Sequence, residues 1–442
     1  MEATATRIVQ RLRRAGHEAF FAGGCVRDRL LGKPAHDIDV ATAAKPEEVQ
    51  KIFPKTFAVG AQFGVVVVIE DGMEFQVATF RSDGAYLDGR RPDSVVFTTA
   101  EGDATRRDFT INGLFFDPLE NRVLDFVGGE SDLRAGIVRA IGDPVARFSE
   151  DKLRLLRCVR FGASLGFTIE EKTWTALCAA AGDIGQVSAE RIRDELVKIF
   201  VHPSRVAGFD LLDRSGLLDI LLPEVGALRG CEQPPEFHPE GDVFVHTRLM
   251  LSLLPEAVSA PLVFSVLLHD IGKPPTLRRD ETGRIRFNGH EGVSAAMTER
   301  IFERLRFSNA ESEATVVAVR NHMAFKDVQN MRVATLKRFL ARPTIEDEME
   351  LHRVDCQGSH GLLDNYDFLR EKQVEFSREP LIPPPLLTGH DLIKMGRRPG
   401  PGFKAILDAV QVLQLEGSLK SRDEAISWIE QSSDFGEGQK SS

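Results

Sequence analysis

Three stretches in the first half of this 442-residue chain carry residue types in an order suited to chemistry at phosphorus. In the first, Gly23-Gly24-Cys25-Val26-Arg27-Asp28 is followed nine residues later by Asp37-Ile38-Asp39. The pattern places Asp37-Ile38-Asp39 within a strand, where positions i and i+2 project from one face roughly 6.5 Å apart. Two carboxylates at that separation can share one or two Mg²⁺ ions, the clamp used for in-line displacement. Gly23-Gly24 lets the backbone approach a triphosphate closely, and Arg27 can pair with it.

The second stretch, Arg106-Arg107-Asp108-Phe109-Thr110-Ile111-Asn112-Gly113, packs two cations, a carboxylate and an amide together. It reads either as a solvated helix start or as a contact in which Arg107 meets the triphosphate and Asp108 or Asn112 meets ribose hydroxyls. The third, Ser149 to Phe161, sets Arg154, Arg157 and Arg160 at i, i+3 and i+6, with Leu155, Val159 and Ala163 on an apolar face. Asp151 and Arg154, one turn apart on that helix, can address one Watson-Crick edge. The carboxylate would accept from an exocyclic amine and the guanidinium would donate to a ring nitrogen. Cytosine and adenine offer that pair of groups, whereas uracil and guanine reverse it.

A different chemistry is spelled in the second half, where six potential metal ligands run in order: His246, the doublet His269-Asp270, His290, His322 and Asp355. A single buried histidine is more often a satisfied core residue. The whole ordered set, in a helical context, points to a divalent metal lodged between helices.

These residues need elements to hold them. From Phe20 to about Val145 the pattern is strand-like and glycine-punctuated, with four valines in succession between Phe57 and Ile69. Helical stretches follow near 149–165, 170–181 and 188–200, and the helical period continues beyond them. The fold class is α+β: a sheet-containing head at 1–145, an all-α neck at 146–243, a second all-α metal domain at 244–375, and a helical C-terminal region with a frayed tail at 376–442.

Composition narrows the class. The 56 Lys+Arg against 66 Asp+Glu give a net charge of -10, so a nucleic-acid partner must be held by a local basic patch. Five scattered cysteines with no C-x-x-C pair argue against a disulfide framework or a thiolate zinc site. Arg7, Arg11, Arg13 and Arg14 surround Ile8, Val9 and Leu12 in an amphipathic N-terminal helix unlike a signal peptide, and no apolar run approaches 18 residues. The expected location is the cytoplasm, with no membrane partner.

The glycine turn followed by Asp-x-Asp resembles the nucleotidyltransferase superfamily that includes DNA polymerase β. Over residues 20–200, including Ala189-Glu190-Arg191-Ile192-Arg193-Asp194-Glu195, the chain is similar to the bacterial (class II) tRNA nucleotidyltransferases, the CCA-adding enzymes, and to bacterial poly(A) polymerases. The resemblance implies a polymerase-β-like head adding the terminal CCA to a tRNA 3' end from CTP and ATP. It makes Asp37 and Asp39 the Mg²⁺ ligands, and Gly24, Arg27 and Arg107 nucleotide contacts. Asp151, Arg154, Arg157 and Arg160 become the neck residues that bind the incoming nucleotide. One departure is Gln76, where many relatives carry Glu; Glu74, on the same strand face, is a substitute for a third carboxylate.

The His and Asp set resembles the HD phosphohydrolase family. That likeness implies a divalent transition metal and 2',3'-cyclic phosphodiesterase, 2'-nucleotidase or phosphatase activity on RNA ends. Alternatives to CCA addition are a poly(A) polymerase, disfavoured by the acidic ending Asp434-Phe435-Gly436-Glu437, a CC-only or A-only enzyme, or a phosphohydrolase with a regulatory head. The full length of Arg81 to Val95, which matches a loop needed for the final A, favours the complete activity.

Overall fold

The computed structural model describes residues 1–34, 37–57, 64–83, 95–234, 238–378 and 380–432. The interior of the Arg81–Val95 loop and the Asp434–Glu437 ending lie outside the described residues. The chain divides into two compact units. One comprises Met1–Arg229 with Pro255–Ala260 and Arg300–Ser308; the other comprises Gly230–Leu254, Pro261–Glu299 and the residues from Asn309 onward.

The head is built on strands β1 (Ala19–Ala22), β2 (Asp39–Thr42), β3 (Thr56–Phe57), β4 (Val65–Glu70) and β5 (Met73–Thr79), with β6 (Arg81–Asp83) and β7 (Val95–Phe97) forming a separate pair. Strands β8 (Leu114–Asp117) and β9 (Arg122–Asp125) complete a seven-stranded sheet of order β3-β4-β5-β2-β1-β8-β9. The sheet is mixed, since β2 pairs parallel with β5 and antiparallel with β1. The valine run forms β4, whose Val66 and Val68 are buried on one face as strand alternation requires. Phe20, Phe80 and Phe115 form the aromatic centre of one face, with Phe80 and Phe115 edge to face at 5.9 Å. Truncating the fully buried Phe80 to alanine would cost about 3–5 kcal/mol.

The N-terminal helix Glu2–Arg14 buries Ala5, Ile8, Val9 and Leu12, the i, i+3, i+4, i+7 stripe of an amphipathic helix. Its arginines are tied to the sheet: Arg11 lies 3.0 Å from Glu70, and Arg13 lies 2.5 Å from Asp117.

The continuous helix expected near 149–165 is interrupted. One helix ends at Glu150, Asp151 is extended (φ -139°, ψ 104°), and the next spans Leu153–Leu165. The break has a local cause, because the Asp151 carboxylate accepts from the Leu153 N–H at 3.1 Å and competes with continuation of the helix. Leu155, Val159 and Ala163 are buried, as the apolar face predicts. The helices Glu171–Ala180, Ala189–Val201 and Arg205–Arg214 follow, and Thr168–Ile169 forms a short parallel pair with Ile137–Val138.

Among the described residues, strand structure in the second unit is limited to one antiparallel pair, Arg278–Arg279 with Ile285–Arg286. Among its apolar centres are one around Phe325, Phe339, Met349 and Leu369 and another around Leu392, Ile406, Val410 and Ile429. Among the described residues no helix is long and apolar enough to cross a membrane.

Candidate nucleotide cavity and histidine-aspartate centre

Strand β1 leaves the sheet at Gly23, whose φ of +76° turns the chain into the helix Gly24–Leu30. A side chain here is strained because the backbone is left-handed, and its Cβ, 2.8 Å from Arg107 Nη1, would displace that guanidinium. The turn opens onto a cavity of about 540 Å³ lined by seven arginines, among them Arg27, Arg107, Arg154, Arg157 and Arg160, against the aspartates Asp39, Asp108 and Asp151. In a chain of net charge -10 this is a concentrated positive lining, suited to a polyanionic ligand.

Asp39 starts β2 and is the last ladder partner of β1, opposite Ala22. Asp37 is exposed and lies ahead of the strand, so the expectation that both carboxylates project from one strand face needs correcting. The cause is the departure of β1 at Gly23, which leaves no partner on that side to extend the ladder to Asp37. Desolvation by the cavity walls raises the Asp39 pKa above the usual carboxylate range, Arg107 opposes this, and the charge of Asp37 adds to it. A carboxylate held against its own charge in this way fits a divalent cation. The parallel register Val40↔Val77 sets Gln76 beside the Asp39 position, and Gln76 and Glu74 are both exposed on the same face of β5.

A hydrogen-bonded chain links the glycine-turn helix to the neck. Arg27 Nη1 donates to Asn112 Oδ1 at 2.8 Å, Asn112 Nδ2 donates to Asp108 Oδ1 at 3.1 Å, and Arg157 Nε donates to Asp108 Oδ2 at 2.7 Å. Burial would raise the Asp108 pKa, but Arg157, Asn112 and the Phe109 N–H outweigh it and hold the value near about 2. Asp108 and Asn112 are therefore structural members of this chain as well as part of the cavity wall. Arg160 Nε donates to the buried Glu195 at 2.6 Å, which explains the Glu in the last neck motif.

Asp151 and Arg154 both line the cavity, yet both are partnered. Arg191 lies 2.8 Å from Asp151, and Arg154 donates to Glu150 at 2.5 Å and to the carbonyls of Arg147 and Arg106 at 2.9 and 3.0 Å. The two residues also sit on either side of the helix break, which corrects the expectation of one turn on one helix.

Phe161 was missed by charge-based reading. The guanidinium carbons of Arg27, Arg157 and Arg160 lie 5.2, 5.3 and 4.2 Å from its ring centroid, so three cations gather around one aromatic ring. Its signal in the sequence was its place directly after Arg160, at the end of the stripe.

In the second unit all six expected ligands converge. His269 and Asp270 follow the end of the helix Ala260–Leu268, so the doublet sits in a turn and the angular conflict of a helix does not arise. Gly272 lets that turn approach closely, since a Cβ there would lie 2.4 Å from the His290 carbonyl oxygen. Asp270 Oδ2 is 3.1 Å from His269 Nε2, and Asp270 Oδ1 is 3.3 Å from His290 Nε2 and 3.8 Å from His322 Nε2. His246 Nε2 is 3.1 Å from Asp355 Oδ1.

Three of the rings are aimed by backbone carbonyls: His269, His290 and His322 place Nδ1 within 2.9, 2.8 and 2.6 Å of the Val266, Phe287 and Val319 oxygens. Their Nε2 atoms consequently face the cluster. His269 Nε2 and Asp270 Oδ1 are buried with no hydrogen-bond partner among the described residues. Orphaned, converging nitrogen and carboxylate donors fit a divalent metal. Burial and the neighbouring His269 push His322 down to about 4, keeping its imidazole neutral as a ligand must be. Lys273 Nζ, 2.6 Å from Asp270 Oδ2, shares that carboxylate. His238 and Glu240, grouped with His246, were not foreseen because their spacing matched none of the ligand positions.

Comparison with known proteins follows the same division. The Poly A polymerase head domain matches residues 19–139, the probable RNA and SrmB-binding site of polymerase A matches 166–228, and the HD domain matches 243–355. A CCA-adding enzyme of Lactobacillus johnsonii is 32% identical over 422 residues, 95% of this chain and 94% of that protein. One from Geobacillus thermodenitrificans is 44% identical over 211 residues, where 48% of this chain spans about half, 52%, of that relative. Among solved structures, the Bacillus stearothermophilus CCA-adding enzyme in complex with CTP matches with a TM-score of 0.74 at 26% identity, covering 96% of each chain. With head, neck and HD centre in the same order and one relative aligned almost end to end, the chain belongs to the CCA-adding enzyme family of nucleotidyltransferases.

Proposed function

We infer that this protein completes tRNA 3' ends by adding C, C and A from CTP and ATP in the arginine-lined cavity of the head. The observation that carries the reading is the convergence, in one cavity of about 540 Å³, of Asp39, the Gly23-Gly24 turn, the arginine stripe and the Asp151/Arg154 pair. We assign the head to 1–145, the neck to 146–243, the HD domain to 244–375 and the remaining helical region to 376–442.

Asp37 and Asp39 would hold Mg²⁺, which when bound supplies charge neutralisation and activation of the RNA 3'-hydroxyl. The remaining work belongs to the chain. The Gly23-Gly24 backbone, Arg27 and Arg107 take the triphosphate oxygens, and Arg157 and Arg160 flank them on the Phe161 ring. Asp151 accepts the exocyclic amine of cytosine or adenine. Arg154 keeps Nε–H and one Nη2 proton beyond its three described bonds, enough to donate to the ring nitrogen beside that amine. Phosphoryl transfer then needs positioning and charge stabilisation with no covalent enzyme intermediate.

His246, His269, Asp270, His290, His322 and Asp355 would hold a divalent transition metal, the choice favoured by four imidazoles over an all-oxygen set. We assign this centre to phosphate-ester hydrolysis. All five cysteines are unbridged thiols, in keeping with a cytoplasmic setting.

The test is direct. Transcripts of tRNA ending before the tail, after C and after CC are offered each nucleotide singly. CTP incorporation on the first two and ATP incorporation on the third supports the reading; ATP addition regardless of the preceding bases refutes it.

A further inference from the structure

The histidine-aspartate centre is reached through a cavity of about 370 Å³, and a second cavity of about 740 Å³ adjoins it, the two sharing Pro234, His238, Arg284 and Ile285. Much of the wall between them is the antiparallel hairpin that pairs Arg278–Arg279 with Ile285–Arg286. Of residues 278–286 only Ile285 is buried, so packing does not explain the four arginines in this short segment. Asp280 braces its tip. One carboxylate oxygen accepts from the N–H groups of Thr282 and Arg284 at 3.1 and 3.0 Å and from Thr282 Oγ1 at 2.6 Å, and the other accepts from Arg286 Nε at 3.1 Å. Gly283, with a φ of +82°, closes the turn. The braced hairpin sets Arg284 at the boundary of the two cavities and Arg279 in the wall of the larger one.

The carboxylates of the larger cavity are already engaged. Asp242 accepts from the Val245 and Gly230 N–H groups at 2.9 and 2.6 Å. Arg279 Nη2 donates to Glu232 Oε2 at 2.7 Å in a pair exposed on both sides, a weak kind of ion pair that a phosphate can replace. On the metal side, Phe287 directly follows the hairpin and lines the smaller cavity, where its ring can stack on a base.

Resting on the phosphate-ester reading of the HD centre, we propose that this centre acts on the 3' end of an RNA strand, as a terminal 2',3'-cyclic phosphate, and that the hairpin is its strand-binding subsite. The terminal nucleotide enters the smaller cavity against Phe287, and the preceding phosphates pass Arg284 and then Arg279 into the larger one. A free nucleotide has no preceding phosphates to place there. Hydrolysis adds water across one P–O bond of the cyclic ester, leaving a phosphomonoester and a freed ribose hydroxyl, and needs no further co-reactant.

The full-length protein, supplied with Co²⁺, is given adenosine 2',3'-cyclic phosphate or a trinucleotide ending in the same group, at about 50 and 200 mM NaCl. Two strand phosphates held by two arginines predict that KM for the trinucleotide rises about sevenfold more than KM for the mononucleotide over this range, from a single-strand slope of about 0.7 per contact. In the double variant Arg279→Ala/Arg284→Ala that excess is expected to disappear, a change in salt dependence that a merely structural role of the hairpin would not produce. Independently of turnover, the metal-free protein is irradiated with a trinucleotide carrying 4-thiouridine next to its terminal nucleotide, and the adducts are mapped. Adducts within 278–287 are expected in the wild type and not in the double variant. Equal salt dependence of the two substrates in the wild type, an excess that survives in the double variant, or no adduct within 278–287 overturns the proposal. A wild type that hydrolyses neither substrate refutes the phosphate-ester reading itself, and the proposal with it.

Discussion

The Asp151 carboxylate lies 2.8 Å from the Arg191 guanidinium, so the residue assigned to reading the incoming base is held by the helix Ala189–Val201. The link gives the last neck motif a physical role, which is to fix one acceptor in place before a nucleotide arrives. A preset acceptor discriminates because a base presenting a carbonyl there sets oxygen against oxygen with no proton between them.

Asp151→Ala should therefore lose selectivity more than chemistry. UTP and GTP use relative to CTP and ATP is expected to rise roughly 5- to 150-fold, the equivalent of about 1–3 kcal/mol for one unpaired polar group. Measuring kcat/KM for all four nucleotides decides the point: an equal fall with unchanged ratios would reduce Asp151 to a residue that starts a helix.

The buried Asp108–Arg157 pair sets an acid limit on the first unit. Asp108 has a folded-state value of about 2 against 3.8 for an unperturbed group, so its contribution is complete above the unfolded value and is lost as pH falls through the folded one. The shift corresponds to about 2 kcal/mol at neutral pH. Asp108→Asn should lower stability by that amount above about pH 5, and the gap to wild type should narrow as pH falls from 4 toward 2. Urea midpoints at several pH values test this; a gap that stays constant down to pH 3 would contradict it.

Chemistry in the two units should be separable. Asp270→Asn is the suitable change, because an alanine would strand the buried Lys273 ammonium that lies 2.6 Å from Asp270 Oδ2. Hydrolysis of a 2',3'-cyclic phosphate is expected to disappear, while CTP incorporation stays within about twofold. A folded variant that loses both activities would mean that the two sites are not independent.

Much of this was legible from spacing. The arginine stripe at 154, 157 and 160 needed only helical periodicity, and all three side chains line the cavity beside the Gly23-Gly24 turn. What spacing could not give was where hydrogen bonding ends an element. The strand stops short of Asp37 because β1 turns away at Gly23, and the neck helix breaks at Asp151 because its own carboxylate takes the Leu153 N–H. Partners distant in sequence were equally hidden. Arg191 on Asp151, 40 residues apart, depends on tertiary packing that no local pattern encodes.

The claim that one head cavity performs every addition is tested most directly with Asp39→Ala. Single-turnover incorporation of CTP is measured on tRNA lacking the tail, and of ATP on tRNA ending in CC, with circular dichroism to verify the fold. Both additions should fall by at least about 10³-fold together, since the same carboxylate serves both. Near wild-type rates for either nucleotide in the folded variant would contradict the account.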